Sequence, residues 1–182
     1  MRRCLNELRD LITAKVTRNK TEPAGAKLCV IMVDGGFCSV LAKLALGLVI
    51  ARNGDVEVKY DIRWFERSGV GCDGTSDRSF ALTQIFPDVD FKIANDDEIR
   101  RAKRRSYRKN PNPFIFDEDF LNPTAGYLDG YYAHWKYLDL AKEDLLKILN
   151  FDRLELNSDN LRIKTEIEAS SSSIAIHVRR GD

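Results

Sequence analysis

Leu28-Cys29-Val30-Ile31-Met32-Val33-Asp34-Gly35-Gly36 is the stretch whose reading decides the fold. An unbroken apolar run from Leu28 to Val33, without polar alternation, predicts a strand buried on both faces, as in a parallel sheet covered by helices. Asp34-Gly35-Gly36 breaks the run, and residues 39–52 then carry helix-like apolar density that stops near Asn53-Gly54. Val56-Glu57-Val58-Lys59-Tyr60 alternates and predicts a second strand. Strand, glycine turn, helix and strand in this order form a right-handed crossover unit. The expected class is α/β, a doubly wound parallel sheet with helices on both faces.

Composition narrows the functional classes. The chain has 182 residues, long enough for one domain with a sizeable core. It is 43% hydrophobic and 31% charged, as expected of a globular protein, and its formal net charge of +1 argues against a dedicated nucleic-acid binder. Cys4, Cys29, Cys38 and Cys72 lack metal-ligand spacing, and His134 and His177 are far apart, so no metal site is expected. Free thiols in a reducing, cytoplasmic compartment are the reading. Residues 41–51 are apolar but short and contain Lys43, which predicts a buried helix and not a membrane span. The N-terminus has no long apolar core and does not read as a secretory signal.

Leu5, Leu8, Leu11, Ile12 and Val16 recur near helical spacing, so residues 1–27 are expected to be an amphipathic extension and linker. A membrane surface, a partner or the chain's own domain could each take its apolar face. Residues 66–79, rich in Gly, Ser and Asp, read as a loop. Further expectations are a short helical turn from Phe80 to Phe86, a strand at 91–94, and a helix N-capped by Asn95 with Asp96, Asp97 and Glu98 in its first turn. A strand over 127–132, an amphipathic helix over 138–149 and a buried strand over 174–178 complete the reading. The main domain is expected to span 28–169.

Four constellations bear on chemistry. At Asp34-Gly35-Gly36 the backbone could approach a ligand and expose helix N-terminal amides, although the third glycine of a dinucleotide fingerprint is missing. A simple tight turn fits as well. Arg100 to Arg105, with Arg108 and Lys109, would suit a polyanion or an anionic membrane if carried on one helix over 100–109. A solvated helix face balanced by Asp96, Asp97 and Glu98 is the plainer reading and is favoured. Tyr127, Tyr131, Tyr132, Trp135 and Tyr137, with Asp129 and His134 among them, read as core aromatics before a sugar-binding groove, and His134 as a packing residue. At the tail, His177-Val178-Arg179-Arg180-Gly181-Asp182 sets adjacent arginines after the expected last strand. Guanidinium forks there match phosphate oxygens in pairs.

The tail HVRRGD resembles the His-x-Arg-Arg-x-Asp motif of α1,2- and α1,6-fucosyltransferases. With IMVDGG at 31–36, VKYD at 58–61 followed by Trp64-Phe65, and YLDGYYAHWKYL at 127–138, the order of segments resembles bacterial α1,2-fucosyltransferases of glycosyltransferase family 11. The resemblance implies a GT-B architecture of two Rossmann-like domains, with 28–169 as the acceptor-side domain and 170–182 as the start of a donor-binding one. It implies inverting transfer of fucose from GDP-fucose to a galactose hydroxyl of a glycan, without metal or other cofactor. His177, Arg179, Arg180 and Asp182 would then be donor-binding, the arginines on the diphosphate, and Asp34, Gly35 and Gly36 the cleft-facing turn. Two guanidiniums neutralise charge developing on a nucleoside diphosphate leaving group.

The sequence departs from the family pattern at Val40, where a glutamine is expected and where valine can donate no hydrogen bond. It also ends at the motif, so the second domain is expected to be largely missing and transferase activity slight or absent. No general base is singled out among Asp34, Asp61, Asp73 and Asp77. Expected partners are the nucleotide sugar and a glycan acceptor, a lipid-linked one included, which would place the protein peripherally at a membrane. The competing reading is a non-catalytic membrane-surface or polyanion-binding module that uses the basic run at 100–109.

Overall fold

A computed structural model describes residues 27–67, 78–122 and 125–178. Four strands, β1 (Leu28–Met32), β2 (Glu57–Asp61), β3 (Tyr107–Lys109) and β4 (Gly126–Asp129), form one all-parallel sheet in the order β2-β1-β4-β3. Register is set by Leu28 opposite Glu57 on one side of β1 and Cys29 opposite Gly126 on the other. Beyond β2 the chain at 92–94 adds a parallel bridge, with the Tyr60 amide donating to the Lys92 carbonyl at 2.8 Å and the Ala94 amide to the Tyr60 carbonyl at 2.9 Å. The expected strand at 91–94 is thus reduced to this bridge.

β1 is covered on both sides, as its unbroken apolar run demands. Cys29, Ile31 and Val33 pack into the larger core cluster with α1 (Phe37–Asn53), whereas Leu28 and Val30 join Ile99 and Ala102 of α4 (Asp96–Arg105). Between them the chain forms α2 (Arg63–Arg67) and α3 (Leu82–Ile85). Helix α1 is buried through Leu44, Ala45, Leu46 and Val49, because the sheet covers one side and later helices the other. Those are α5 (Trp135–Leu140) and α6 (Lys142–Ile148). Gly47 lets α1 lie on β2: a Cβ there would stand 2.2 Å from the Tyr60 hydroxyl oxygen.

Helix α4 starts in a full capping box. The Asn95 side chain accepts from the Glu98 amide at 2.9 Å, and Glu98 accepts from the Asn95 amide at 2.8 Å. The other Glu98 oxygen takes the buried Lys59 ammonium of β2 at 2.5 Å, fastening helix to sheet.

Several expectations are corrected. The basic run is not one helix: α4 stops at Arg105, and Tyr107–Lys109 is the edge strand β3. Arg100 pairs with Asp97, and Arg108 turns over the Phe120 ring and donates to the Asp119 carbonyl at 2.8 Å. The expected helix at 138–149 is two helices meeting at Ala141, where burial of Tyr137 and Ala141 against the core turns the chain. Ile174 to Val178 is not a buried strand. Ile174, Ile176 and Val178 are 90%, 81% and 69% exposed. The preceding helix α7 (Ser158–Ala169) buries no residue, so nothing brings this segment to a sheet edge. No helix of the described residues is long and apolar enough to cross a membrane. The N-terminal extension and most of the 66–79 loop lie outside the described residues.

Candidate functional site at the carboxyl edge of the sheet

In open α/β sheets ligands bind beyond the carboxyl ends of the strands, and here those ends gather most of the notable polar residues. After β1 the chain turns through Asp34, Gly35 and Gly36 into α1. Gly35 has φ +79°, a left-handed conformation that favours glycine, and a Cβ there would lie 3.2 Å from Ser39 and 3.6 Å from Cε1 of Tyr131. Gly36 is in extended backbone and N-caps α1, offering no side chain of its own to cap the helix, and the first turn holds no acidic residue. A Cβ on Gly36 would lie 2.7 Å from Nη1 of Arg78. Gly35, Gly36, Phe37, Val40, Arg78 and Ser79 line a cavity of about 290 Å³. A helix N-terminus beside a guanidinium favours an anion.

Under the turn, Lys43 of α1 is wholly buried. Its ammonium donates to the Asp34 carboxylate, to the Asp34 carbonyl at 3.3 Å and to the Ser39 hydroxyl at 3.1 Å, which uses all three of its hydrogens. Burial holds the Lys43 pKa below the ordinary lysine value, with the Asp34 charge pulling the other way. The Lys43 nitrogen also stands 4.8 Å from the centre of the half-exposed Tyr131 ring.

Asp61, at the end of β2, is committed elsewhere. Its Oδ1 accepts from Nε of Arg63 at 2.8 Å, and its Oδ2 from Nη2 of Arg63 and from the Tyr127 hydroxyl at 2.8 and 2.9 Å. Burial would raise its pKa, but the Arg63 and Tyr127 hydrogen bonds bring it below the ordinary value. A carboxylate with both oxygens so occupied is a poor proton acceptor. Asp34 has one oxygen on Lys43 and opens the turn into α1. Asp73 and Asp77 lie outside the described residues.

The ends of β3 and β4 close the far side. The Asp129 carboxylate accepts from the Tyr107 hydroxyl. The Asn110 amide nitrogen of the backbone donates to the Asp129 carbonyl at 2.8 Å, and its side-chain Oδ1 accepts from the Asn112 amide at 3.0 Å. That bond fixes the side-chain amide, and its Nδ2 is buried with no partner among the described residues. Gly130 and Tyr132, at φ +143° and +49°, bend the chain so that Tyr132 is fully buried while Tyr131 stays half exposed.

Of the residues singled out in the sequence, Asp34, Gly35 and Gly36 are brought to this edge. His177 lies on the exposed segment after α7, and Arg179, Arg180 and Asp182 lie outside the described residues. The aromatic cluster divides: Tyr127, Tyr132 and Tyr137 are core, as expected, but Tyr131 and Trp135 are exposed at 48% and 61%. His134 has a structural role, its Nδ1 accepting from the Lys136 amide at 3.2 Å to cap α5. Lys43, Arg78 and Asn110 were not foreseen. A lone lysine inside the apolar stretch 41–51, just after an aspartate turn, is the one signal that pointed to a buried pair. The described residues hold no cluster of His, Cys, Asp or Glu suited to a metal ion. The chain matches no family model, no curated protein and no solved structure.

Proposed function

We propose that the chain carries the acceptor-side domain of a galactoside α1,2-fucosyltransferase of GT-B architecture, with Arg179 and Arg180 on the diphosphate of GDP-fucose. The observation that carries this reading is the Asp34–Gly36 turn at the carboxyl edge of a parallel sheet. It opens on a cavity lined by Arg78 and by the glycine-capped N-terminus of α1. Such a site suits the phosphates of a nucleotide sugar facing it. The tail HVRRGD adds the sequence support.

In the reaction the acceptor hydroxyl oxygen forms a bond to the anomeric carbon of fucose as the bond from that carbon to the phosphate oxygen breaks. The hydroxyl proton passes to a base, and GDP leaves with the electron pair. The guanidiniums offset the charge gathering on the leaving diphosphate.

Titration calorimetry of the chain with GDP tests the donor assignment. Arg179→Ala and Arg180→Ala are each expected to weaken binding by about tenfold or more, as loss of a charged hydrogen-bond donor does. Equal affinity in parent and variants, or no heat at about millimolar GDP, would overturn it.

A further inference from the structure

We infer that the chain forms a two-fold symmetric dimer in which α7 of one copy lies antiparallel on α7 of a second, joined through Ile163 and Ile167. This goes beyond the transferase reading and does not depend on it. Helix α7 buries none of its 12 residues. A helix that short is marginal in water on its own, and most helical stability comes from packing an apolar face. Both ends of α7 are capped. The Asn157 side chain accepts from the Asn160 amide at 2.9 Å, and the Ser170 hydroxyl donates to the Glu166 carbonyl at 2.8 Å. Its middle carries the β-branched Ile163, Thr165 and Ile167, which favour a helix less than alanine or leucine does. The two isoleucines, 45% and 53% exposed, are the face left to pack.

The charges beside that face select a second copy as its occupant. At about 3.6 residues per turn, Ile163 and Ile167 lie roughly 40° apart and form one stripe. Arg162 and Glu166 flank it on one side and pair with each other; Lys164 and Glu168 flank it on the other, 3.7 Å apart. On both flanks the basic residue stands nearer the N-terminus and the acidic residue nearer the C-terminus. With the two-fold axis beside Thr165, an antiparallel second copy sets its Ile167 opposite Ile163. The same rotation brings its Glu166 to Arg162 and its Glu168 to Lys164, within about 3 Å of level along the helix.

A parallel pair would instead set Arg162 against Lys164 and Glu166 against Glu168. The order of charges thus excludes the parallel arrangement, as flanking charges do in coiled coils. An antiparallel contact uses the same patch on both copies and closes at two. Two helices of this length bury less than the roughly 800 Å² per partner of a standard interface, so the dimer is a weak one.

Analytical ultracentrifugation of the full chain from about 5 to 500 µM is expected to show a monomer–dimer equilibrium with a Kd of about 100 µM. Ile167→Glu is expected to weaken it about tenfold or more, whereas Leu161→Glu, on the opposite face of α7, stays within about twofold of the parent. A charge exchange covers the case of a variant whose helix fails to form. Arg162→Glu with Lys164→Glu makes both flanks acidic, and Glu166→Lys with Glu168→Lys makes both basic. Each double variant alone is expected to remain monomeric, and an equimolar mixture of the two to dimerise at least as tightly as the parent. A parent that is monomeric throughout overturns the proposal, and its binding to phosphatidylcholine vesicles would assign the face to a lipid surface. A mixture that stays monomeric, or a dimer broken by Leu161→Glu and not by Ile167→Glu, overturns it as well.

Discussion

Lys43 and Asp34 form a buried ion pair that ties the turn after β1 to the helix it opens. The ammonium is fully buried and the carboxylate nearly so, which makes each the other's main compensation for lost water. Removing one partner strands the other. Lys43→Met is expected to destabilise the fold by about 3–5 kcal/mol in urea denaturation. The double variant Lys43→Met with Asp34→Asn is expected to recover a large part of that loss. A single variant as stable as the parent would show that water reaches the pair.

The two turn glycines are expected to respond differently to alanine. At Gly35, φ is +79° and the new Cβ meets Ser39 at 3.2 Å, so Gly35→Ala should cost about 1–3 kcal/mol. At Gly36 the backbone is extended and the new methyl meets only the mobile end of the Arg78 side chain, at 2.7 Å. Gly36→Ala should therefore leave the thermal midpoint near that of the parent while displacing the guanidinium from the cavity. Inorganic phosphate titrated by NMR would read the second effect. Equal destabilisation by the two substitutions would contradict the geometry.

The parallel layer was legible because its signals are local. The apolar run 28–33 can be buried only between two helical layers, and the Asn95–Glu98 spacing announces a helix start without reference to anything distant. The Ile174-Ala175-Ile176 segment shows the limit. Its composition favours a strand, but pairing depends on an edge being within reach, and α7 packs on nothing that would bring one. The candidate site was half legible for a similar reason. Asp34-Gly35-Gly36 is a contiguous motif, whereas Arg78 and Asn110 reach the edge only through the fold. Tyr131 could not be told from its buried neighbours by sequence, since its exposure is decided by backbone angles at Gly130 and Tyr132.

Gly47 predicts a steric defect far from the site. A methyl there would lie 2.2 Å from the Tyr60 hydroxyl oxygen and 3.1 Å from a Val58 methyl, inside a well-packed interface between α1 and β2. Gly47→Ala is expected to destabilise by about 1–3 kcal/mol, the usual range for overpacking, despite the better helix propensity of alanine. Adding Tyr60→Phe removes the closest atom and should restore part of the loss. A Gly47→Ala protein with raised stability would mean that helix and strand are farther apart than described.

Stability is expected to fall on the alkaline side. Burial pushes the Cys29 thiol from 9.0 up to about 12, so the folded state keeps a proton that the unfolded chain releases. Its contribution is full below pH 9.0 and is lost as pH rises toward about 12. Burial also raises the hydroxyls of Tyr60, Tyr127, Tyr132 and Tyr137, which act in the same sense as the unfolded tyrosines ionise above about pH 10. Lys43 opposes them: its pKa is lowered in the fold, so the unfolded chain holds the extra proton and stability gains as pH approaches 10.5. One lysine against a thiol and a group of tyrosines leaves a net loss. At the acid end Asp61, lowered in the fold, contributes above pH 3.8 and loses that contribution as pH falls below it. Urea midpoints measured from about pH 7 to 11 should decline through the alkaline range, and less steeply in Cys29→Ala. A flat or rising profile there would show that these groups titrate alike in the folded and unfolded chains.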